Sequence, residues 1–205
     1  MFGALILAGG QSKRMGKNKA LISFRNKPLL LHVVEKAVKV VNEINVVIAK
    51  DDSPSKYSEI LPSAVKVLKD EISGNGPLAG ILVGLQNIRS EYVVVLPCDS
   101  PFIKTDVLVY LFCKAQGADA VIPKWPNGDV EPLHAVYRVS SSLLAAKTAL
   151  QKKELLVIDM VKRLRKVIYL DVDELRKFDH ELVTFFNVNT KEDLLVAQRL
   201  EPTLP

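Results

Sequence analysis

Short apolar runs alternate with helix-spaced apolar residues through the first 123 positions, and this alternation leaves few folds open. Gly3 to Ala8 reads GALILA and runs into glycines, as a strand buried on both faces does. From Pro28, a permitted first-turn proline, the apolar residues at 29/30, 33/34, 37/38 and 41 mark one helical face. Ile44 to Ala49 repeats the strand signature, Ala64 to Leu68 is a shorter strand, and Tyr92 to Leu96 is a wholly apolar one. Leu78, Ile81, Leu82, Leu85 and Ile88 share a helical face, Thr105 to Lys114 forms a further helix, and Asp119 to Pro123 opens with another strand. Strand, helix, strand, helix implies parallel pairing. The expected fold class is therefore α/β, three layers α/β/α around a mostly parallel, doubly wound sheet.

Beyond Pro123 the alternation breaks at PKWPNGDVEP, a loop and turn rich in proline with Asn127 and Gly128. A strand in LHAVYRV, a helix over 140–152, a short helix near 156–164 and a strand in VIYLDV follow. The chain closes on FFNVN and a helix capped by Thr190, with Glu192 and Asp193 in its first turn. No repeat or polar linker divides the sequence, so one domain over residues 1–205 is expected.

Composition narrows the function classes. The 28 basic against 23 acidic residues give +5 spread along the chain, and aromatics are 6%, so the basic stripe with interleaved aromatics of a nucleic-acid binder is missing. The amino terminus has no basic leader and its apolar run is short, which reads as cytosolic, with neither secretion nor a membrane span. Cys98 and Cys113 lack disulfide-framework or metal-site spacing and are expected to be buried thiols.

Chemistry concentrates after the first strand, where LILAGGQSKRMGKNKAL carries Lys13, Arg14, Lys17 and Lys19 and no acid. In open parallel sheets ligands bind outside the carboxyl ends of the strands, which is where this loop lies. Gly9, Gly10 and Gly16 let backbone approach a ligand, successive N–H groups can cradle an anion, and the cations repel one another until one is bound. The spacing fits neither a Walker A loop nor the dinucleotide fingerprint, because Gly10 and Gly16 bracket five residues and Asn18 follows Lys17. Asp99 emerges from the strand in YVVVLPCDSPFI at the same sheet edge, stiffened by Pro97 and Pro101. A carboxylate there suits Mg²⁺, which takes one or two carboxylates together with phosphate oxygens and water. Asp70 follows another strand, and SGNGPLAGI brings a helix start, at Gly76 and Pro77, toward the same crevice.

LAGGQSKRMGKNKAL, GPLAGI, LPCDSPF, EPLHAVY and FFNVNTKEDL together resemble the nucleotidyltransferase family that makes molybdopterin dinucleotides, the molybdenum cofactor guanylyltransferases. The five motifs span nearly the whole chain in the family's order. The resemblance implies a Rossmann-like nucleotidyltransferase fold and transfer of GMP from Mg-GTP to the phosphate of molybdopterin. It implies that Leu7, Ala8, Gly9 and Gly10 hold the guanosine side, Arg14 and Lys19 touch the phosphates, Asp70, Gly76 and Pro77 meet the nucleotide, and Asp99 binds Mg²⁺. Asn187 and Asn189 would line the pterin side. The implied partners are GTP, molybdopterin and, transiently, other cofactor-synthesis proteins. Members often place an Asn after the second strand, where this chain has Lys50 and Asp51. A cytidylyl or sugar-nucleotide transferase on the same scaffold, or a carrier that binds without transfer, remains open at this point.

The acceptor phosphate, with a second pKa of about 6, is largely a dianion at neutral pH and needs no general base. His32, His134 and His180 accordingly read as structural, and Trp125 as a loop anchor that could alternatively stack on the pterin.

Overall fold

The computed structural model describes residues 1–9, 18–70 and 76–200. In chain order these form β1 (Phe2–Leu7), β2 (Ser23–Phe24), β3 (Lys27–Pro28), α1 (Leu29–Ala37), β4 (Glu43–Ala49), α2 (Pro54–Ser58), β5 (Val65–Asp70) and α3 (Gly76–Gln86). There follow β6 (Tyr92–Pro97), α4 (Thr105–Ala115), β7 (Ala120–Lys124), β8 (Ala135–Arg138), α5 (Val139–Gln151), α6 (Val157–Val161), β9 (Val167–Asp171) and α7 (Lys191–Arg199).

Seven strands form one sheet in the order β5-β4-β1-β6-β8-β7-β9. The pairs β5·β4, β4·β1 and β1·β6 are parallel, whereas β8 runs antiparallel to both its neighbours and β7·β9 is again parallel. Only β8 is therefore reversed, and the strands beyond it resume the common direction. The break in the alternation after Pro123 takes this form: the chain after β7 turns back through the proline-rich loop and inserts β8 between β6 and β7.

The central strands β1 and β6 are apolar throughout because they have helices on both sides. On β1, Ala4 and Ile6 join one core with residues of α1 and α4, while Leu5 joins the other with residues of α3, α5 and α6. Successive side chains leave a strand on opposite faces, so the unbroken run GALIL feeds two cores at once. The result is the three-layer arrangement that the alternation implies.

Local departures have local causes. Helix α1 ends at Ala37, and Val38 is 47% exposed although it falls on the expected apolar stripe. Val41 is nevertheless buried, because the amides of residues 40 and 41 both bond to Ala37 O and turn the chain back onto the core. Cys98 is buried, but Cys113 is exposed on α4, which corrects the expectation of two buried thiols. Thr190 does cap α7: its side chain accepts from Asp193 N–H, and the Asp193 carboxylate accepts from Thr190 N–H. No helix among the described residues is long and apolar enough to cross a membrane.

Candidate active site

The parallel strands β5, β4, β1 and β6 end at Asp70, Ala49, Leu7 and Pro97, so these residues share one edge of the sheet. The chain leaving β1 is tied to both neighbours there. Ala8 N–H donates to Val47 O at 2.8 Å, and Cys98 N–H donates to Leu7 O at 3.2 Å. Gly9 follows, where a Cβ would lie 3.0 Å from Ala49 N and 3.2 Å from Ile48 C, backbone atoms that cannot give way. A side chain at this position would push the chain off β4, so glycine is required for close approach. Gly10 and Arg14, like Lys13, Gly16, Lys17 and Gly74, lie outside the described residues.

The chain resumes at Asn18, which caps a 3-10 turn over Lys19–Leu21 by accepting from Ala20 N–H at 3.0 Å. Its Nδ2 donates to Asp52 Oδ2 at 2.9 Å and to Tyr57 Oη at 2.6 Å, while the Tyr57 hydroxyl donates to Asp52 Oδ2 at 2.9 Å. Tyr57 is fully buried, and burial, reinforced by its bond to Asp52, raises its phenol well above the usual range. This closed triangle fixes the residue preceding Lys19 to the segment after β4. That segment also holds Lys50 and Asp51. Tyr57→Phe removes the donor to Asp52 and is expected to cost about 1–2 kcal/mol, read from urea unfolding. An unchanged midpoint would show that the triangle holds nothing.

Lys19 carries the site's described cation. Its Nζ lies 3.1 Å from Asp99 Oδ2 and donates to Asn189 Oδ1 at 2.7 Å, joining positions 80 and 170 residues away in sequence. Asp99 lies two residues beyond the end of β6 and is 8% exposed. Its carbonyl accepts from Val188 N–H at 2.9 Å, which lays the FNVNT segment beside it. Val188 is buried with Phe24, Leu29 and Ala197, and the Asn residues on either side of it reach the site. Asn189 also donates from Nδ2 to Asn187 O at 3.4 Å. Lys19, Asp99 and Asn189 thus meet directly, with Asn187 adjoining. Leu7, Ala8, Gly9 and Asp70 share the sheet edge, and Gly76 and Pro77 open α3, where a Cβ on Gly76 would lie 3.3 Å from Leu155 O. Gly76 takes φ +67°, a backbone conformation suited to glycine.

A second, buried network lies behind Asp99. Ser100, fully buried, donates from Oγ to Asn187 Oδ1 at 2.5 Å and lies 3.0 Å from His134 Nε2. His134 is 1% exposed, and its Nδ1 sits 3.7 Å from Glu131 Oε2 without a hydrogen bond. Glu131 Oε1 accepts from Trp125 Nε1 at 2.8 Å, and Phe185 packs edge-on against both Trp125 and His134. Burial of Glu131 raises its carboxyl, but His134 and Trp125 outweigh it and hold the group below the ordinary range. Trp125 is therefore an anchor for the proline-rich loop. Ser100, His134 and Glu131 have the residue types of a nucleophile, base and acid, yet the hydroxyl is buried and spends its proton on Asn187. The arrangement orients groups and does not attack a substrate.

Asp99 offers a hard oxygen donor, as Mg²⁺ requires. No group of three or more His, Cys, Asp or Glu gathers around a metal position among the described residues. That donor set fits an ion held by one carboxylate together with substrate phosphates and water. Sequence reading missed Ser100, Asp52 and Tyr57, and took His134 only as structural. Of these, Ser100 had a signal, lying between the site aspartate and a stiffening proline.

The profile of the MobA-like NTP transferase domain matches residues 4–167. A protein of Methanosarcina mazei named "Probable molybdenum cofactor guanylyltransferase" is 37% identical over 93% of this chain and 87% of its own length. A protein of the same name in Methanothermobacter thermautotrophicus is 31% identical, covering 93% of this chain and 96% of its own. The crystal structure of molybdopterin-guanine dinucleotide biosynthesis protein A from Archaeoglobus fulgidus superposes with a TM-score of 0.79 at 32% identity over 96% of both chains. At 16% identity, the 4-diphosphocytidyl-2C-methyl-D-erythritol synthase of Anaerococcus prevotii gives a TM-score of 0.69 over 96% of this chain and 94% of its own, a likeness of fold alone. The seven-stranded sheet with one reversed strand, the charged cluster at its carboxyl edge and these similarities agree: the chain belongs to the family of MobA-like NTP transferase domains.

Proposed function

We propose that this protein transfers GMP from GTP to the phosphate of molybdopterin, forming molybdopterin guanine dinucleotide and pyrophosphate. The observation that carries this reading is the meeting of Lys19, Asp99 and Asn189 at the carboxyl edge of the sheet, a cation, a carboxylate and an amide at one point. The names of its relatives support guanosine as the transferred nucleoside and a pterin as the acceptor.

The nucleotide enters over the glycine-rich segment after β1, with Leu7, Ala8, Gly9 and Gly10 beside the guanosine, Arg14 and Lys19 on the phosphates, and Asp70, Gly76 and Pro77 completing its pocket. Asn187 and Asn189 line the pterin side. An oxygen of the molybdopterin phosphate forms a bond to the α-phosphorus of GTP. The bond from that phosphorus to the α–β bridging oxygen breaks, and pyrophosphate leaves with the electron pair. The attacking dianion has no proton to lose, so no residue acts as base. Asp99 is the residue that would hold Mg²⁺, whose charge offsets that of the triphosphate when bound. Lys19 and Arg14 offset charge that grows on the α-phosphate and the leaving group. The setting is the cytoplasm, where other proteins of cofactor synthesis would deliver the pterin and receive the product.

The test is incubation with GTP, CTP or ATP, each with Mg²⁺ and molybdopterin, and identification of the product by mass. GMP transfer with release of pyrophosphate, at a rate at least tenfold above that with CTP, is expected. A CMP product would move the protein to the cytidylyl reading, and binding without any product would make it a carrier.

A further inference from the structure

The hydrogen-bond directions in the buried network behind Asp99 can be read from its donors and acceptors. Ser100 has one hydroxyl proton and donates it to the carbonyl end of Asn187 at 2.5 Å. Its Oγ can therefore only accept from His134 Nε2, at 3.0 Å, so that nitrogen carries a proton. The ring is held by the edge-on contact with Phe185, while its Nδ1 lies 3.7 Å from Glu131 Oε2 without a hydrogen bond. His134, Ser100 and Phe185 are each at least 92% buried, so water does not compete for these bonds.

We propose that His134 and Ser100 are positioning residues that set which end of the Asn187 amide the acceptor substrate meets. With Oδ1 committed to Ser100, the Nδ2 end is the one left for a ligand. The site then presents a donor, and selects a phosphate or carbonyl oxygen at that place. Asn189 is arranged alike, its Oδ1 taken by Lys19 Nζ. An amide free to turn would present its oxygen half the time and repel an anionic acceptor. This inference rests on the proposed function in one respect, that Asn187 lies on the acceptor side.

The test compares Ser100→Ala, His134→Gln, His134→Leu, Asn187→Ala and the double variant Ser100→Ala/Asn187→Ala. Ser100→Ala is expected to raise KM for molybdopterin about tenfold with KM for GTP unchanged, which corresponds to about 1.4 kcal/mol. His134→Leu should act the same way, and His134→Gln, which keeps an N–H donor, should recover part of the loss. In the Asn187→Ala background, Ser100→Ala should have no further effect, because the group it positions is gone. Full additivity there, or equal rises in both KM values, overturns the proposal. A second readout does not depend on transfer: the side-chain amide ¹⁵N–¹H signals of Asn187 should shift in Ser100→Ala and His134→Leu. Unchanged signals overturn the relay even in an active enzyme, whereas shifted signals in a protein that transfers no GMP sustain the relay and sink the assigned reaction. If His134→Leu does not fold, Ser100→Ala decides alone.

Discussion

Asp99→Asn is expected to lower turnover about a thousandfold while the protein still folds and melts close to the wild type. The two effects separate because the side chain and main chain of residue 99 do different things. The carbonyl of Asp99 holds Val188 N–H and survives the substitution. Asparagine keeps the size of the side chain and an oxygen for Lys19. What is lost is the charge of an ion pair whose side chains are 19% and 12% exposed, between the surface and buried extremes. That loss is worth about 1–2 kcal/mol of stability, and in a chain of this size each kcal/mol moves the melting temperature by about 2–4 °C. A thousandfold slower reaction is about 4 kcal/mol of barrier. The asymmetry follows from the role assigned to the carboxylate, which meets the substrate's charge. Pyrophosphate release and a thermal melt on the same preparation check it. Turnover within tenfold of wild type would remove Asp99 from the chemistry, and a collapsed melt would make it structural.

The sheet was legible because its central strands β1 and β6 are buried on both faces. Runs such as GALIL and YVVVL have nowhere else to go, and their carboxyl ends mark the crevice before any geometry is known. The position of β8 was not legible. Its four residues read as a strand, but insertion between β6 and β7 depends on pairing between distant positions, as of Arg138 with Tyr92 and Ala135 with Val95. The β2–β3 hairpin escaped because its strands are two residues each, and its turn places Arg25 at φ 48° and Asn26 at φ 65°, an arrangement asparagine tolerates but arginine does not announce. Helix α2 escaped because five residues opened by Pro54 carry no periodicity.

The site divides the same way. Lys19, Asp99 and Asn189 each sit in a motif with chemical meaning, and the structure joins them. The relay from His134 through Ser100 to Asn187 was not legible, since its bonds join residues 34 and 87 positions apart. Asn187 and Ser100 are 87 positions apart, and only the fold makes them neighbours. Likewise Asn18 gives no hint of Asp52 and Tyr57, 34 and 39 positions on.

Lys19→Ala is expected to reduce kcat/KM for GTP by about 100- to 1000-fold, and Lys19→Arg to recover less than a tenth of the wild-type value. An ammonium has three protons. Asp99 and Asn189 take two, at 3.1 and 2.7 Å, leaving one for a phosphate oxygen. A unit charge about 4 Å from a phosphate at an effective dielectric near 20 contributes roughly 4 kcal/mol before desolvation, enough to supply two to three powers of ten. Arginine restores the charge, but its planar fork cannot point three donors at three acceptors arranged around a single atom. Because Lys19 touches Asp99, the double variant Lys19→Ala/Asp99→Asn should be far less than multiplicatively worse than either alone. A positional role for Lys19 limited to holding Asn189 would instead leave GTP kinetics near normal and raise only KM for the acceptor. The two KM values, measured separately, therefore decide between a lysine that meets the triphosphate and one that merely braces the pterin side.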